Sequence, residues 1–454
     1  MINPILLPEI REMLALGDED GIRDLLTQLH PATVAEFSEG LADDEVWALL
    51  QRAELALQAE ILSYFDPQRQ AELVEHGDRA RVAAVLAAMP SDNQAKLLKR
   101  LDSERVESLL PLVAKVERQE IRRMLAYPEH SAGSIMTTEY AWLPPDVTAA
   151  EALRLIRDQA PETETIYYLY VLDKNRTLLG FVSLSDLILA RSGTPVIDLM
   201  RPDLIKVGVN VDQEEVARML ARYDFLALPV TDDNNRLVGI VTHDDVIDIM
   251  VSEATEDAQR QGAVEPLEED YLHAGFATVW RKRAVWLSCL FVAELFTFTA
   301  LAYFEDAIAA ILVLSLFVPL CISTGGNSGS QAATLITRAM ALGQLRPRDW
   351  FSVMRHELLM GVALGVTLGL IAFLRAVLTP QSVLGSADRW LLALTVSQSV
   401  GVICLWGSLV GAMLPLIFQR IGFDPGYASS PFVATFVDVT GIIIYFTIAQ
   451  VWLM

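Results

Sequence analysis

The chain has 454 residues, 20% charged and 52% apolar, with a formal net charge of −23. Residues 1–280 carry 50 Asp/Glu against 25 Lys/Arg, whereas residues 281–454 carry 8 against 10. That division excludes a single soluble globule, and an acidic soluble half that repels phosphates excludes nucleic acid as its partner. Three cysteines scattered over the apolar half do not make a disulfide framework or a zinc site. The N-terminus lacks the basic-then-apolar pattern of a signal peptide, so the acidic half is expected to stay in the cytosol.

Residues 1–130 read as an all-α domain of short amphipathic helices, among them 41–53, 55–65, 82–88 and 94–101, separated by Asp-Pro and Met-Pro-Ser-Asp breakers. β-Branched alternation is almost missing there. A helical solenoid or small bundle fits the pattern.

Residues 131–250 contain an internal repeat. Ile135-Met136-Thr137 recurs as Leu199-Met200-Arg201, and Val171–Asp186 aligns with Val230–Asp245. Each copy predicts strand, helix, strand, turn, strand, helix, with Asp173-Lys174-Asn175 and Asp232-Asp233-Asn234 as the hairpin turns. The repeat resembles a tandem pair of CBS domains, an α/β fold, at 131–198 and 199–250. Such pairs often bind adenosine nucleotides. Ser183 with Asp186, and Thr242 with Asp245, resemble the ribose-contacting Ser/Thr-x-x-Asp of those members, which makes ATP a candidate cofactor; the plain structural reading of both is an N-cap on the following helix.

Residues 251–280 predict a long acidic connector helix bearing Glu253, Glu256, Asp257, Glu265, Glu268, Glu269 and Asp270. From Ala284 onward five segments are long enough to span a bilayer, which takes about 20 helical residues: 284–304, 308–337, 352–378, 390–419 and 427–453. The basic residues Arg281, Lys282, Arg283, Arg338, Arg346, Arg348, Arg355 and Arg420 flank one side. They place the N-terminal domains in the cytosol and the C-terminus outside the cell membrane.

Two features inside the apolar half carry chemistry. The second span is interrupted by Ser323–Gln331 after Pro319. This run predicts a broken helix whose freed carbonyls face a permeating cation, with Gly325, Gly326 and Gln331 lining the path. The competing reading is tight helix packing. The other feature is Asp438 in the fifth span, an ionisable group that is a functional candidate by default in such a place. Asp438, the Ala434 carbonyl and the Asn327 amide offer only oxygen ligands, which suit a hard cation such as Mg²⁺ kept partly hydrated. Glu294 is a second mid-span acid, with two readings: it lines the pore, or, the preferred one, it hydrogen-bonds a neighbouring helix while protonated.

The order of helical domain, CBS pair, acidic connector and all-α polytopic membrane domain, with the run Pro319–Gln331, Asp424-Pro425 and Ser430–Gly441, resembles the MgtE family of magnesium channels and transporters. The resemblance covers nearly the whole chain. It implies a homodimer with a pore on the two-fold axis, Mg²⁺ held by the Asp438 pair, and closure by cytosolic Mg²⁺. The implied sensor acids are Asp92, Asp232, Asp248, Glu253, Glu256 and Asp257, with Glu265 and Asp424 at the pore mouth. One departure stands out: where the family carries an Asp-Asp-x-x-Asp type cluster, this chain reads Asp92-Asn93-Gln94-Ala95-Lys96. Asn93 and Lys96 remove ligands, which predicts weaker or differently placed Mg²⁺ regulation. The alternative is an ion-coupled divalent-cation carrier, for Mg²⁺, Co²⁺ or Mn²⁺, regulated by nucleotide at the CBS pair. An enzyme is disfavoured, because Asp438 has no second carboxylate motif of the intramembrane-protease type.

Overall fold

The computed structural model describes residues 7–267, 271–272, 274–385 and 387–453. The chain forms two compact units that divide between Val251 and Ser252. Glu268, Glu269 and Asp270 lie outside the described residues.

The first unit opens with short helices from Leu7 to Leu125, including Asp43–Leu50, Leu55–Ser63, Arg79–Ala87 and α1 (Ser91–Lys99). Asp18, Asp66 and Asp78 cap their helices by accepting a backbone N–H, which is why the Asp-Pro and Gly-Asp breakers punctuate the domain so regularly. The apolar faces close a single core around Ile22, Leu50, Ile61, Leu73 and Val85, all essentially inaccessible to solvent.

The repeat folds as predicted, twice over. The first copy runs β1 (Tyr140–Leu143), α2 (Ala149–Gln159), β2 (Thr165–Leu172), β3 (Leu178–Ser183) and α3 (Leu184–Leu189). The second runs β4 (Val207–Gly208), α4 (Gln213–Tyr223), β5 (Ala227–Thr231), β6 (Leu237–Thr242) and α5 (His243–Gln261). In each sheet the first strand is parallel to the second and the second antiparallel to the third. The two hairpin turns place Arg176 and Asn235 at positive φ (62° and 59°). Their first acids are turn-formers: Asp173 accepts from the Asn175 and Thr177 amides, and Asp232 from those of Asn234 and Arg236. The repeated Met has a reciprocal role. Met136 lies on Gly239, and Met200 on Gly180, where a Cβ would sit 2.6 and 2.7 Å from the nearest Met atoms. Glycine at both points lets the copies cross closely.

The connector departs from expectation. α5 starts inside the second repeat and stops at Gln261, because Gly262 and Ala263 close it: Ala263 takes φ 58° and the Val264 amide returns to the Gln259 carbonyl. Pro266 follows.

The second unit holds five long helices, α6 (Phe276–Tyr303), α7 (Val313–Ala341), α8 (Trp350–Val377), α9 (Arg389–Arg420) and α10 (Ser430–Leu453). Among the described residues, four segments are long and apolar enough to cross a membrane: α6, Pro347–Val377, α9 and α10. α7 is as long, but its polar middle separates it from them. The expected break in α7 is not there: the helix runs through Ser323–Gln331 without interruption. Close packing is the reason. Gly325 and Gly329 lie against Gly407 and Gly411 of α9, so near that a Cβ on either α9 glycine would overlap an α7 carbonyl oxygen. On the α10 side, a Cβ on Gly325 would sit 2.6 Å from Val437, and one on Gly329 would sit 2.7 Å from Val433. The Ser328 hydroxyl adds a bond to the Cys404 carbonyl of α9 at 3.1 Å. The small residues therefore dock α7 between α9 and α10, and Gly325 is buried rather than pore-lining.

Candidate functional site

The face of α7 opposite its glycines is polar. At about 100° per residue, Ser323, Asn327, Gln331, Thr334 and Arg338 fall along one stripe, and apart from their helical neighbours these side chains are exposed. Asn327 donates to the Ser323 hydroxyl at 3.3 Å. Thr334 and Arg338 were missed by motif reading; their spacing from Asn327 and Gln331 was the available signal.

Asp438 sits at the edge of this stripe, at the α7–α10 seam. A Cβ on Gly326 would lie 3.5 Å from Asp438 Oδ1 and 3.4 Å from the Ala434 Cβ. The absence of a side chain at Gly326 is thus what leaves room beside the carboxylate. Gly326 itself is buried, so it shapes the site rather than lining it. Ala434 is one turn before Asp438, and its carbonyl belongs to the α10 ladder rather than to an unwound segment. Among the described residues Asp438 makes no hydrogen bond or ion pair, although it is half-buried in an apolar helix bundle. The nearby charge that acts on it is a like one, Glu294 of α6. Glu294 bonds within its own helix, accepting from Thr297 at 3.0 Å, and not across to a neighbour as expected. A carboxylate in such surroundings needs a cation or water from outside the chain.

A second cluster lies where α5 meets the turn before α10. Arg260 makes ion pairs with both Glu256 and Asp424, and its guanidinium lies over the Tyr427 ring at 5.9 Å. Two expected sensor acids are therefore already paired with a base that reading for acids alone passed over; Arg260 stands four residues after Glu256, the favourable order on a helix. Burial, together with the Asp424 and Glu253 carboxylates, holds the Asp257 carboxyl above its usual range. Glu265 is exposed and lines a cavity of about 200 Å³ with Arg260, Lys282, Trp286 and Tyr427.

The third cluster joins the helical domain to the second repeat. Asp92 is 4% exposed. Lys96 Nζ donates to Asp92 Oδ2 at 3.1 Å and to Asp245 Oδ1 at 2.6 Å. Burial would lower the Lys96 pKa, but the two carboxylates outweigh it and raise it above the ordinary value. Burial pushes the Asp245 carboxyl up to about 6, against the pull of Lys96 and with the push of Asp92. Glu139 and Glu164 are each raised to about 7, first by burial and then by neighbouring acids including Asp92. Asp248, by contrast, is an exposed residue of α5.

In the first repeat Ser183 caps α3, accepting from the Asp186 amide at 3.1 Å, and Asp186 accepts from Arg201 at 3.0 Å. In the second, Thr242 donates to Asp245 Oδ2 at 3.1 Å while the other oxygen faces Lys96. The capping reading of the first pair is what the structure displays, and Asp245 is committed to the interdomain joint.

Family models match along the chain: the divalent cation transporter MgtE at residues 318–448, the MgtE intracellular N domain at 29–130, and CBS domains at 132–193 and 196–252. The magnesium transporter MgtE of Thermus thermophilus is 38% identical over 451 residues, covering 98% of each chain. That of Enterococcus faecalis is 34% identical over 74% of this chain and 72% of its own length. The crystal structure of the cytosolic domain of the Mg²⁺ channel MgtE in complex with ATP matches with a TM-score of 0.50 and 38% identity, over 53% of this chain and 98% of that one. A second crystal structure, of the soluble part of a magnesium transporter, matches with a TM-score of 0.52 at 33% identity, over 55% and 98%. The protein is a multi-pass membrane transporter, not an enzyme, and its N-terminal domains are cytosolic. With its three regions matched in order and a relative aligned almost end to end, the chain belongs to the MgtE family of magnesium transporters.

Proposed function

We propose that the chain is a homodimeric, Mg²⁺-selective channel of the cell inner membrane, spanning it five times with its C-terminus outside, and that it imports Mg²⁺ along the α7 stripe. The observation that carries this reading is the half-buried Asp438 carboxylate, which makes no hydrogen bond or ion pair among the described residues, at the edge of the stripe that holds Asn327 and Gln331. Two copies related by a two-fold axis bring two such carboxylates together, and a hydrated Mg²⁺ between them supplies the missing positive charge. Weak, partly hydrated binding suits conduction, because the ion must also leave.

Closure by cytosolic Mg²⁺ is assigned to the connector. Glu256 and Asp424 share Arg260, Asp257 lies under the like charges of Asp424 and Glu253, and a divalent ion bound among these acids relieves that repulsion. Mg²⁺ must bind the closed arrangement better than the open one for this to regulate. Asp232 and Asp248 drop out, the first as a turn-former and the second as a solvated surface acid. ATP, bound by the relative of known structure, is assigned to the CBS pair of this chain as well. Because Asp245 is committed to Lys96, the first repeat, with Ser183 and Asp186, is the more accessible of the two ribose candidates.

The Glu294–Asp438 proximity favours one second reading, a carrier in which paired acids relay charge. Patch recording with stepped internal Mg²⁺ separates the two. Single-channel currents that fall as internal Mg²⁺ rises support the channel; slow flux that requires a Na⁺ or H⁺ gradient supports the carrier.

A further inference from the structure

α1 and α5 belong to different domains, yet one side chain holds them together. Asp92 and Lys96 are four residues apart, so both project from the same face of α1. That face meets Asp245, 149 positions away in sequence, at the start of α5. Both carboxylates have lost most of their water: Asp92 is 4% exposed and the Asp245 side chain 13%. Two carboxylates brought this close repel unless a cation stands between them. Glu139, Glu164 and Asp244 add to the negative field. Beside this cluster, the Ser91 hydroxyl of α1 accepts from the Thr138 amide of the first repeat at 2.8 Å, a neutral bond that also ties the helical domain to the CBS pair and reports whether it is docked.

We propose that Lys96 is a tethered counter-cation that keeps the helical domain docked on the second CBS domain whether or not Mg²⁺ is present, so that Mg²⁺ regulation of this chain is confined to the connector acids. The consequence for gating rests on the channel reading above; the docking itself does not. A covalently attached ammonium has an effective concentration that does not change with the ionic composition of the cytosol. The joint it holds therefore cannot report Mg²⁺. Without the charge at position 96, Asp92 and Asp245 face each other unpaired. The joint then opens or recruits a free cation, and it becomes Mg²⁺-sensitive.

The test is amide hydrogen exchange at Thr138 in the full-length protein in lipid nanodiscs, in EDTA and in saturating MgCl₂. The wild type should show equal protection in both. Lys96→Gln keeps the chain length and removes the charge; it should lose protection in EDTA by about tenfold and regain it in MgCl₂. Lys96→Arg should behave as the wild type, which separates charge from disturbed folding. Mg²⁺-dependent exchange at Thr138 in the wild type, or full protection of Lys96→Gln in EDTA, would overturn the proposal. Mg²⁺ uptake by the same preparations in liposomes is read separately. Its absence from the wild type would sink the channel reading and leave the exchange result standing.

Discussion

The acids of the cytosolic joint and the acid of the membrane bundle meet the same physical problem in opposite ways. Asp92 and Asp245 are desolvated, but Lys96 lies between them; Glu256 and Asp424 share Arg260. Asp438 is half-buried as well, and among the described residues no base pairs with it. A carboxylate with a tethered partner is a structural element, because its charge is balanced within the fold. One without a partner makes a standing demand on the surroundings, and in a transporter that demand is a binding site. Acidity by itself does not distinguish the two cases; the identity of the nearest cation does.

The largest effect expected from breaking this contrast is at Asp438. Asp438→Ala should fold and dimerise normally yet fail to support growth of a host that lacks other magnesium transport; full growth in low Mg²⁺ would show that the unpaired acid is dispensable. Next comes the glycine seam, where the packing and pore roles of α7 part company. Gly411→Ala forces a methyl into the Gly329 carbonyl and should cost about 1–3 kcal/mol of bundle stability, visible as a lower melting temperature. Gly326→Ala meets only ordinary contacts at 3.4–3.5 Å, so it should melt like the wild type while reducing Mg²⁺ flux by crowding Asp438. Equal melting losses in the two variants would erase the distinction between the faces.

A smaller effect is expected at the connector. Asp257→Asn combined with Glu253→Gln should leave conduction intact and shift closure to higher internal Mg²⁺; an unchanged closing concentration in patch recordings would remove the sensor role of these acids. The smallest concerns pH. Glu139 and Glu164 have ordinary carboxyl pKa values near 4.5 when unfolded and about 7 when folded. The folded state thus binds more protons, so their contribution to stability is complete below pH 4.5 and is lost as pH rises through about 7. Thermal melts of the wild type should decline across that window, and Glu164→Gln should flatten the decline. A variant that declines as steeply as the wild type would mean that Glu164 is not one of the titrating groups.

The local patterns were legible in the sequence. The repeat gave both hairpins down to the turn acids, because a turn is decided within four residues. Asp438 was visible because a lone acid in an apolar helix has no local explanation. The glycine-serine run of α7 was misread as a break, since such residues weaken an isolated helix and also let two helices touch. Which effect wins depends on Gly407 and Gly411, some 80 positions away in sequence, and in this bundle close packing preserves the helix. Lys96 is a similar case. Its pairing with Asp92 follows from helical spacing, but its hold on Asp245 comes from tertiary structure. The sequence therefore showed a lost ligand where the fold has a substitute cation. The early end of α5 was signalled by Gly262 and Pro266, which the run of connector acids overshadowed.

A density map of the full-length dimer in MgCl₂, inspected at the α7–α10 seam, tests the central assignment most directly. The account predicts two Asp438 carboxylates facing each other across the two-fold axis, with an octahedral, water-bearing ion between them and the Asn327–Gln331 stripes lining the approach. Carboxylates turned apart, each satisfied by a base or hydroxyl from the partner subunit with no ion density between them, would contradict it.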